Sequence, residues 1–396
     1  MQESSPVVTQ ISDVIARAVA IPLKLSTRMS TRTLAERHFL LVEVRDADGA
    51  SGIGYSYAGT VGGGLLADAV AEVLAPIVLD ADDDDLPELW RRMYQESLLI
   101  GRRGAMLRAI SAVDIALWDL RAKRSGQPLA RLLGGTTARS LPAYASGGYY
   151  RPDAGPPAAA VADEIAAARE HGFEDHKIKV GGLSVAEDAQ RVAAAIEAIG
   201  GRGRLALDAN NAYATVAEAL RALREFERAA GADGLWWFEE PLSPESVGGH
   251  AELAATVETP IATGEIHQTR WDFARLIESR AADILQPDVG VVGGVSEYLR
   301  IAHTAESFDL PVAPHWHANI HAQLAAALPG TLTIEYFALV NDIYNFEALV
   351  TEETRLRIED GAIALSERPG IGIELDEDAV QRYAVSREWR IVESAR

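Results

Sequence analysis

Between Leu141 and Glu335 the sequence alternates short apolar runs with alanine-rich segments, and this alternation constrains the fold more than any other feature. The apolar runs have the length of strands and the alanine-rich segments that of helices. Strands are predicted near residues 141–146, 174–180, 204–208, 234–239, 261–265, 283–287, 311–315 and 332–336. Eight strands that alternate with helices over about 200 residues predict a parallel barrel, whose active residues lie at the carboxyl ends of the strands.

Three consecutive predicted strands end in a carboxylate, at Asp208, Glu239 and Glu265. The spacings are 31 and 26 residues, about one strand–helix–strand repeat, so the three side chains should converge. Buried carboxylates do not cluster without compensation, and a hard divalent cation would supply it. Any one of them could instead cap a helix or pair on the surface, but three in succession favour a metal site. Glu240 follows Glu239 and faces the other way, and spacing alone does not choose between the two.

Two lysines, Lys177 and Lys179, end the second predicted strand on one face. Adjacent ammonium groups inside a barrel repel each other, which predicts a lowered pKa for one lysine and makes it a usable general base. The alternative is a pair of exposed lysines on an edge, which the flanking apolar residues disfavour. Asp208 and Asn210 repeat this geometry on the third strand, so both are predicted to point inward.

Acid–base chemistry is also indicated at the sixth to eighth strands. Asp288 follows the sixth strand and His315 the seventh, and an aspartate beside a histidine fixes its tautomer and raises its basicity. Because His317 and His321 lie close by in the sequence, the identity of the chemical histidine stays open. Glu335 ends the eighth strand.

The first section of the chain has a different pattern. Residues 14–25, 39–45 and 52–57, with a turn at Asp48-Gly49, predict an antiparallel sheet of about three strands. Helices are predicted over residues 65–78, 86–95 and 104–124, and the acidic run at 82–85 is interpreted as a solvated loop and helix start. The short strands and turns after Leu356 should pack back on this section. The predicted domains are a cap (1–138), a barrel (139–355) and a returning segment (356–396).

Composition excludes several classes of function. The net charge of −21 argues against a nucleic-acid or anionic-membrane partner, although a local cationic pocket could still bind an anionic substrate. The absence of cysteine excludes disulfides, cysteine-ligated zinc and thiol nucleophiles. No apolar run reaches the ~18 residues of a membrane span, and residues 1–21 lack the apolar stretch of a signal peptide, so we expect a cytoplasmic protein.

Taken together, the motifs resemble the enolase superfamily and, within it, the mandelate racemase subgroup. The barrel motifs are K-I-K at 177–179, D-A-N at 208–210, W-F-E-E-P at 237–241, A-T-G-E at 262–265, Q-P-D at 286–288, G-G-V at 293–295, P-H at 314–315 and I-E at 334–335. Outside the barrel, the matching stretches are 108–119, 126–135 and 369–376. The match follows the order of the family through nearly the whole chain, and the combination is specific.

The resemblance implies an α/β fold, a (β/α)7β TIM-like barrel with an α+β capping domain. It implies Mg²⁺ on Asp208, Glu239 and Glu265, and so selects Glu239 over Glu240. It also implies that Lys179 is a base on one face of the substrate and that His315, paired with Asp288, serves the opposite face. Lys177 would modulate Lys179, and Glu335 would form a hydrogen bond with the metal-bound carboxylate. Asn210 and Tyr57 would contact the substrate. Asp288 stands where the muconate cycloisomerase and dipeptide epimerase subgroups carry lysine, which argues against those activities.

The resulting functional prediction is a Mg²⁺-dependent dehydratase of acid sugars, either aldonates or aldarates. Removing the α-proton builds a second negative charge on the carboxylate, which a divalent cation and Glu335 would stabilise as an enediolate. If His315 then protonates the β-hydroxyl, water leaves and a 2-keto-3-deoxy acid forms. If both bases only move the α-proton, the enzyme is a 2-hydroxy-acid racemase or epimerase of the mandelate type. A catalytically silent binder of acid sugars is disfavoured, because every expected polar group is present.

Substrate selection is expected in the cap. Residues 314–327 resemble aldarate dehydratases of the talarate/galactarate type but depart from them at Asn319, so the sugar stays open. The basic residues Lys24, Arg28, Arg32 and Arg37 could receive a distal carboxylate, or they could belong to a solvated loop. The expected partner is a small carboxylate, and homo-oligomers are common in the family that the motifs resemble.

Overall fold

The computed structural model of the chain describes residues 10–81, 85–136, 140–338 and 342–392. The polar start (1–9), most of the acidic run (82–84) and the predicted domain limit near residue 138 lie outside the described residues. The limits of the three predicted domains therefore stay a prediction.

The strands form two sheets, one in the cap and one in the barrel. In chain order they are β1 Ile11–Arg28, β2 Thr33–Asp46, β3 Ser51–Gly59, β4 Leu141–Gly147, β5 His176–Lys179, β6 Leu205–Asp208, β7 Phe238–Glu239, β8 Ile261–Thr263, β9 Ile284–Leu285, β10 Ile334–Tyr336, β11 Arg357–Glu359, β12 Ala362–Ala364 and β13 Ala384–Val392. The cap sheet is antiparallel, in the order β13-β1-β2-β3. Gly49, with a φ of 87°, turns the β2–β3 hairpin as predicted. The predicted sheet of about three strands lacks the fourth strand, β13, because β13 lies far from the other three in the sequence.

Helices surround both sheets. In chain order they are α1 Gly63–Ala69, α2 Ala75–Val78, α3 Leu86–Ile100, α4 Ala105–Arg124, α5 Leu129–Leu132, α6 Pro157–Glu170, α7 Val185–Ile199, α8 Val216–Ala230, α9 Val247–Thr256, α10 Thr269–Glu278, α11 Val289–Val292, α12 Val295–Glu306, α13 Ala318–Ala325 and α14 Glu377–Arg382. A π-helical turn, Val70–Leu74, joins α1 to α2, and 3₁₀ turns lie at Gly231–Asp233, Asn345–Leu349 and Glu352–Thr354. Asp85 caps α3 by accepting from the Glu88 amide at 3.2 Å, which is the helix start predicted at the end of the acidic run.

The longest cap helix, α4, lies directly on β3. Gly54 permits this approach, because a Cβ at that position would overlap the carbonyl oxygen of Ala112 on α4. The contact fixes β3, and with it Tyr57 near the end of that strand, against the helix that carries Arg108.

The barrel strands β4 to β9 pair in parallel in chain order, and β10 pairs with β4 to close the ring. At the seventh position Val312 alone bridges Leu285 and Thr331, so the strand predicted at 311–315 is reduced to this residue. Pro311 and Pro314 flank it, and proline has no amide hydrogen for a ladder. The predicted fold class, an α/β barrel with an α+β cap, is confirmed.

Apolar side chains fill the barrel beneath the strand ends. Tyr144, Trp237, Ile284 and three alanines form this interior cluster. Lys179, Asp208 and Glu239 are the last residues of β5, β6 and β7. The polar groups therefore gather at the carboxyl end of a packed barrel.

The C-terminal segment contacts both sheets. Its last strand, β13, pairs with β1 of the cap, where packing was expected, and the β11–β12 hairpin also pairs with Leu141 and Pro142 of the barrel, a contact that was not predicted. These two residues of β4 extend below the ladders to β5 and β10, and the hairpin covers their open backbone edge. Within the described ranges, none of the helices combines the length and the apolarity needed to cross a bilayer.

Candidate active site

Asp208, Glu239 and Glu265 meet at the carboxyl end of the barrel, and we call them the carboxylate cluster. Each contributes an oxygen to a group whose members all lie within 4.8 Å of one another. Asp208 and Glu239 are direct register partners on β6 and β7, so sheet pairing itself sets them side by side. Both are fully buried, and 11% of the Glu265 side chain is exposed. The structure thus brings together the three carboxylates that the sequence singled out.

The two lysines of β5 point into the barrel beside this cluster. Lys179 Nζ forms an ion pair with Asp208, and Lys177 Nζ lies 2.5 Å from Glu239 Oε1 and 2.7 Å from Glu335 Oε1. Burial lowers the pKa of Lys179, but the Asp208 carboxylate outweighs it and raises that pKa above its ordinary value. The pKa of Lys177 is raised by Glu239 and Glu335 in the same way, against burial. The predicted lowering of a lysine pKa is therefore wrong for the protein's own charges, because the carboxylates outweigh the repulsion between the lysines.

The protein's own charges leave the carboxylate cluster only partly compensated. Burial raises the pKa of Glu239 to about 7 and that of Glu265 to about 8. At Asp208 burial acts in the same direction, but Lys179 and Lys177 outweigh it and hold the pKa at about 2. Glu265 Oε2 is buried without a hydrogen-bond partner among the described residues. Hard oxygen donors with an unsatisfied atom fit Mg²⁺, which would keep all three groups ionised.

Glu239 and Glu240 point in opposite directions. Glu239 Oε2 accepts hydrogen bonds from Trp237 Nε1 at 2.8 Å and Gln286 Nε2 at 2.7 Å inside the barrel. Glu240 turns away from the cluster and accepts hydrogen bonds from Thr263 Oγ1 at 2.6 Å and Asn211 Nδ2 at 2.5 Å. The geometry thus separates two neighbours that spacing alone left open.

The structure also shows which of the three neighbouring histidines faces the carboxylate cluster. His315 faces the cluster, with Nε2 3.6 Å from Glu265 Oε2 and Nδ1 2.8 Å from Asp288 Oδ2. His317 is fully buried against the ring of Tyr55, and His321 Nε2 accepts from the amide of Val289. Burial lowers the pKa of His315, but Glu265 and Asp288 outweigh it and raise that pKa to about 10. His315 alone of the three reaches the site.

Glu335 lies beside Lys177 on the eighth strand. Its Oε2 accepts from the amide of Trp316 at 2.9 Å, and Lys177 and His315 overcome the effect of burial to lower its pKa to about 2. Asn210 also points inward. Its backbone amide donates to Asp208 Oδ1 at 2.8 Å and its side-chain Nδ2 donates to Asp208 Oδ2 at 3.2 Å, whereas its Oδ1 has no described partner.

A cavity of about 100 Å³ lies between these groups and the cap, and we call it the site cavity. Its barrel side includes Lys179, Asn210, Glu265 and His315. On its other side lie Arg37, Tyr57 and Arg108 of the cap together with Trp316, and we call these four residues the cationic wall. Tyr57 therefore lies over the site, as the resemblance implies.

Sequence reasoning missed Arg108 and Trp316. Arg108 donates to the carbonyl oxygen of Tyr57 at 2.6 Å, and Arg37 donates to the Tyr57 hydroxyl at 2.7 Å and lies over the indole of Trp316. The available signal for Arg108 was its place at the start of the family-like stretch 108–119, within the first turn of α4.

The basic residues of the cap do not act as one group. Arg28 donates to the carbonyl oxygen of Gly182 at 2.5 Å and lies over Tyr150, so it faces a neighbouring cavity. Arg32 is exposed at the edge of the site cavity, and only Arg37 is buried in its wall. The amide of Arg28 also bonds to Tyr150 of the barrel at 2.8 Å, so this segment is docked rather than solvated.

Closed parallel barrels with polar side chains at the carboxyl ends of their strands are enzymes, and a cluster of three carboxylates is typical of those that use a divalent metal ion. The chain belongs to the mandelate racemase/muconate lactonizing enzyme family. Residues 11–134 match the N-terminal domain of that family, and residues 160–379 match its enolase C-terminal domain-like barrel.

Similar proteins of this family include sugar-acid dehydratases. The L-talarate/galactarate dehydratase of Salmonella typhimurium is 36% identical over 88% of this chain and 83% of its own length. The arabinonate dehydratase of Saccharolobus solfataricus is 34% identical over 90% and 93%. The solved structure of L-talarate dehydratase from Polaromonas sp. JS666, complexed with Mg and L-glucarate, superimposes with a TM-score of 0.83 at 34% identity and covers 98% of this chain and 100% of its own. The predicted Mg²⁺ agrees with the magnesium in that structure.

Proposed function

We propose that the protein is a Mg²⁺-dependent dehydratase of acid sugars that converts a 2,3-dihydroxy acid into a 2-keto-3-deoxy acid. The observation that carries this proposal is the placement of Lys179 and His315 on two sides of one carboxylate cluster, with His315 held by Asp288 in the protonated form that an acid for the leaving hydroxyl requires. Sugar-acid dehydratases at 34–36% identity over nearly the whole chain support the same activity.

The metal would be held by Asp208, Glu239 and Glu265. When bound, Mg²⁺ supplies the positive charge that stabilises the second negative charge that develops on the substrate carboxylate. Gln286 and Trp237 hold the Glu239 carboxylate by hydrogen bonds, and Asn210 holds that of Asp208. These partners fix the ligand oxygens before the ion arrives.

The acid–base steps fall to residues of the chain. Lys179 in its neutral form takes the proton from C2, and the C–H electron pair moves into the enediolate. A cation held by Asp208 would favour that neutral form, because it would offset the carboxylate charge that raises the pKa of Lys179. His315 gives a proton to the hydroxyl at C3, so that the C–O bond breaks and water leaves, and the remaining enol tautomerises to the 2-keto acid. Asp288 accepts from His315 Nδ1 at 2.8 Å, which turns Nε2 toward the cavity and favours the protonated ring that an acid requires. Lys177 and Glu335 stabilise this arrangement through their ion pair, and the predicted bond from Glu335 to the substrate carboxylate stays a prediction.

The test is incubation with a library of acid sugars. A 2-keto-acid assay should detect dehydration, and deuterium incorporation at C2 in heavy water reports proton transfer separately. Incorporation without keto acid would replace the proposal by a 2-hydroxy-acid racemase, which needs the same two bases. Tight binding with neither signal would leave a binder without catalysis.

Two further predictions from the sequence accompany this proposal. A cytoplasmic location and a homo-oligomeric state both stay predictions. A small carboxylate partner follows from the proposed reaction itself.

A further inference from the structure

The two sides of the site cavity offer opposite kinds of unsatisfied atoms. On the barrel side, Glu265 Oε2 and Asn210 Oδ1 are buried acceptors without a described partner. On the cationic wall, the corresponding atoms are Arg37 Nε and Trp316 Nε1, both of which only donate. The acceptors fit a cation and the donors fit an anion. A ligand that satisfies both sides therefore brings oxygen acceptors to the cationic wall.

Within the part of the chain that the structure describes, both arginines of this wall donate their hydrogen bonds to neutral groups. Arg37 donates to the Tyr57 hydroxyl and lies 4.9 Å over the ring of Trp316. Arg108 donates to the Tyr57 carbonyl and lies 5.7 Å from the ring of the same residue. Among the described residues, no carboxylate lies within 4.0 Å of either guanidinium, although the chain has 58 acidic and only 37 basic residues.

Such an arrangement is costly in the absence of a counter-ion. Arg37 is 2% exposed, and a buried charge is unfavourable unless it is paired and hydrogen-bonded. Burial lowers the pKa of Arg108, and the carboxylates of Asp288 and Glu265 offset this effect only in part. Two guanidinium groups on one wall, neither with a described carboxylate within ion-pair distance, therefore indicate that a ligand supplies the direct counter-ion.

We propose that the cationic wall is the binding site for a second carboxylate, so that the substrate is a diacid (an aldarate) rather than a monoacid (an aldonate). This inference rests on the proposed function, which leaves the two classes open. The first carboxylate lies at the carboxylate cluster, and Arg108 and Arg37 receive the distal one. Guanidinium groups suit this task because they bind a carboxylate through two parallel hydrogen bonds. Arg28, which the sequence pattern included, faces another cavity and has no part in this selection.

The experiment compares two acids of the same chain length and configuration, one ending in a carboxylate and the other in a hydroxymethyl group. Wild-type kcat/KM should be higher for the diacid. Arg108→Gln should lower the diacid value by about 10- to 150-fold, the range for a hydrogen bond to a charged group, and the monoacid value less than about threefold. Arg108→Lys should fall in between, because it keeps the charge and loses the bidentate geometry.

A matched control removes an arginine charge elsewhere on the cap. Arg92 is exposed on α3 and does not line the site cavity, so Arg92→Gln should leave the diacid preference unchanged. If Arg92→Gln lowered kcat/KM for the diacid as much as Arg108→Gln does, only the overall electrostatic field of the protein would be involved. That result would overturn the proposal. Thermal melts of all variants establish whether they fold. If Arg108→Gln does not fold, Arg37→Lys provides a second test of the cationic wall.

Calorimetric binding of the two acids in the presence of Mg²⁺ separates this proposal from the proposed activity. If no acid is dehydrated but the diacid binds more tightly and loses that advantage in Arg108→Gln, the activity is wrong and the anion site stands. If dehydration occurs with equal preference for both acids, or if Arg108→Gln weakens both alike, the activity stands and the anion site is wrong.

Discussion

Replacing Glu240 by glutamine should destabilise the barrel and leave Mg²⁺ binding intact, whereas the same change at Glu239 should weaken Mg²⁺ binding. Both residues are fully buried and adjacent, so the pair controls for burial and for the change of charge. Their side chains point in opposite directions. Glu239 points to the carboxylate cluster, and Glu240 joins two neighbouring segments through Thr263 and Asn211.

The magnitude follows from the partners of Glu240. Its two oxygens accept from Thr263 Oγ1 at 2.6 Å and Asn211 Nδ2 at 2.5 Å, with a weaker bond from the Gly264 amide at 3.3 Å. Glutamine keeps one oxygen and turns its NH₂ toward a donor, so one charge-assisted bond is lost. That loss should lower the free energy of unfolding by about 1.5–3 kcal/mol. At Glu239 a ligand charge is removed, and Mg²⁺ affinity should fall by more than the roughly 10- to 100-fold typical of outer-sphere partners.

Two measurements check this pair. Urea unfolding of the metal-free proteins gives the change in stability, and calorimetric titration with Mg²⁺ gives the affinity. Thr263→Val combined with Glu240→Gln should destabilise less than the sum of the single changes, because the two residues share a hydrogen bond. An equal loss of Mg²⁺ affinity in both glutamine variants would refute the assignment of Glu239 as the inward residue.

Three further outcomes are expected. Chelation by EDTA should abolish activity and Mg²⁺ should restore it, and full activity in a metal-free preparation would contradict the metal site. His315→Asn should reduce dehydration by about 10²–10⁴-fold yet still exchange the C2 proton with deuterium, whereas Lys179→Ala should lose both, and the opposite exchange pattern would reverse the two roles. Burial, assisted by Arg169, lowers the pKa of His176 to about 4, so the unfolded chain takes up a proton between about pH 6.5 and 4 that the folded chain does not. The free energy of unfolding should therefore fall over that range by about 3 kcal/mol more in the wild type than in His176→Asn, as urea unfolding at pH 7 and pH 5 would begin to show.

The barrel and the placement of its polar groups were predictable because both depend on local patterns. Strand-length apolar runs, helix-length spacers and the rule that adjacent parallel strands end side by side were enough to bring Asp208 to Glu239. The same rule placed Lys179 beside Asp208. This rule could not predict which of Glu239 and Glu240 points its side chain into the barrel, because a shift of one residue in register reverses the two directions.

The wrong lysine pKa and the missed Arg108 share a cause, which is contact between distant parts of the chain. The lysine pKa depends on carboxylates from three other strands, and the pattern within K-I-K shows only the repulsion. Arg108 reaches the site cavity because α4 packs on β3 and the cap then docks on the barrel, a step that no periodicity encodes. The reduction of the seventh strand to Val312 had a local signal in the two flanking prolines.

The pairing of β13 with β1 has a consequence for biosynthesis. During translation β13 emerges more than 350 residues after β1, so throughout that interval one side of β1 is an unpaired sheet edge. Such edges recruit strands from other chains, and the hazard lasts as long as the correct partner is missing. The nascent protein therefore depends on residues 384–392 to remove an aggregation-prone edge that was made much earlier in synthesis.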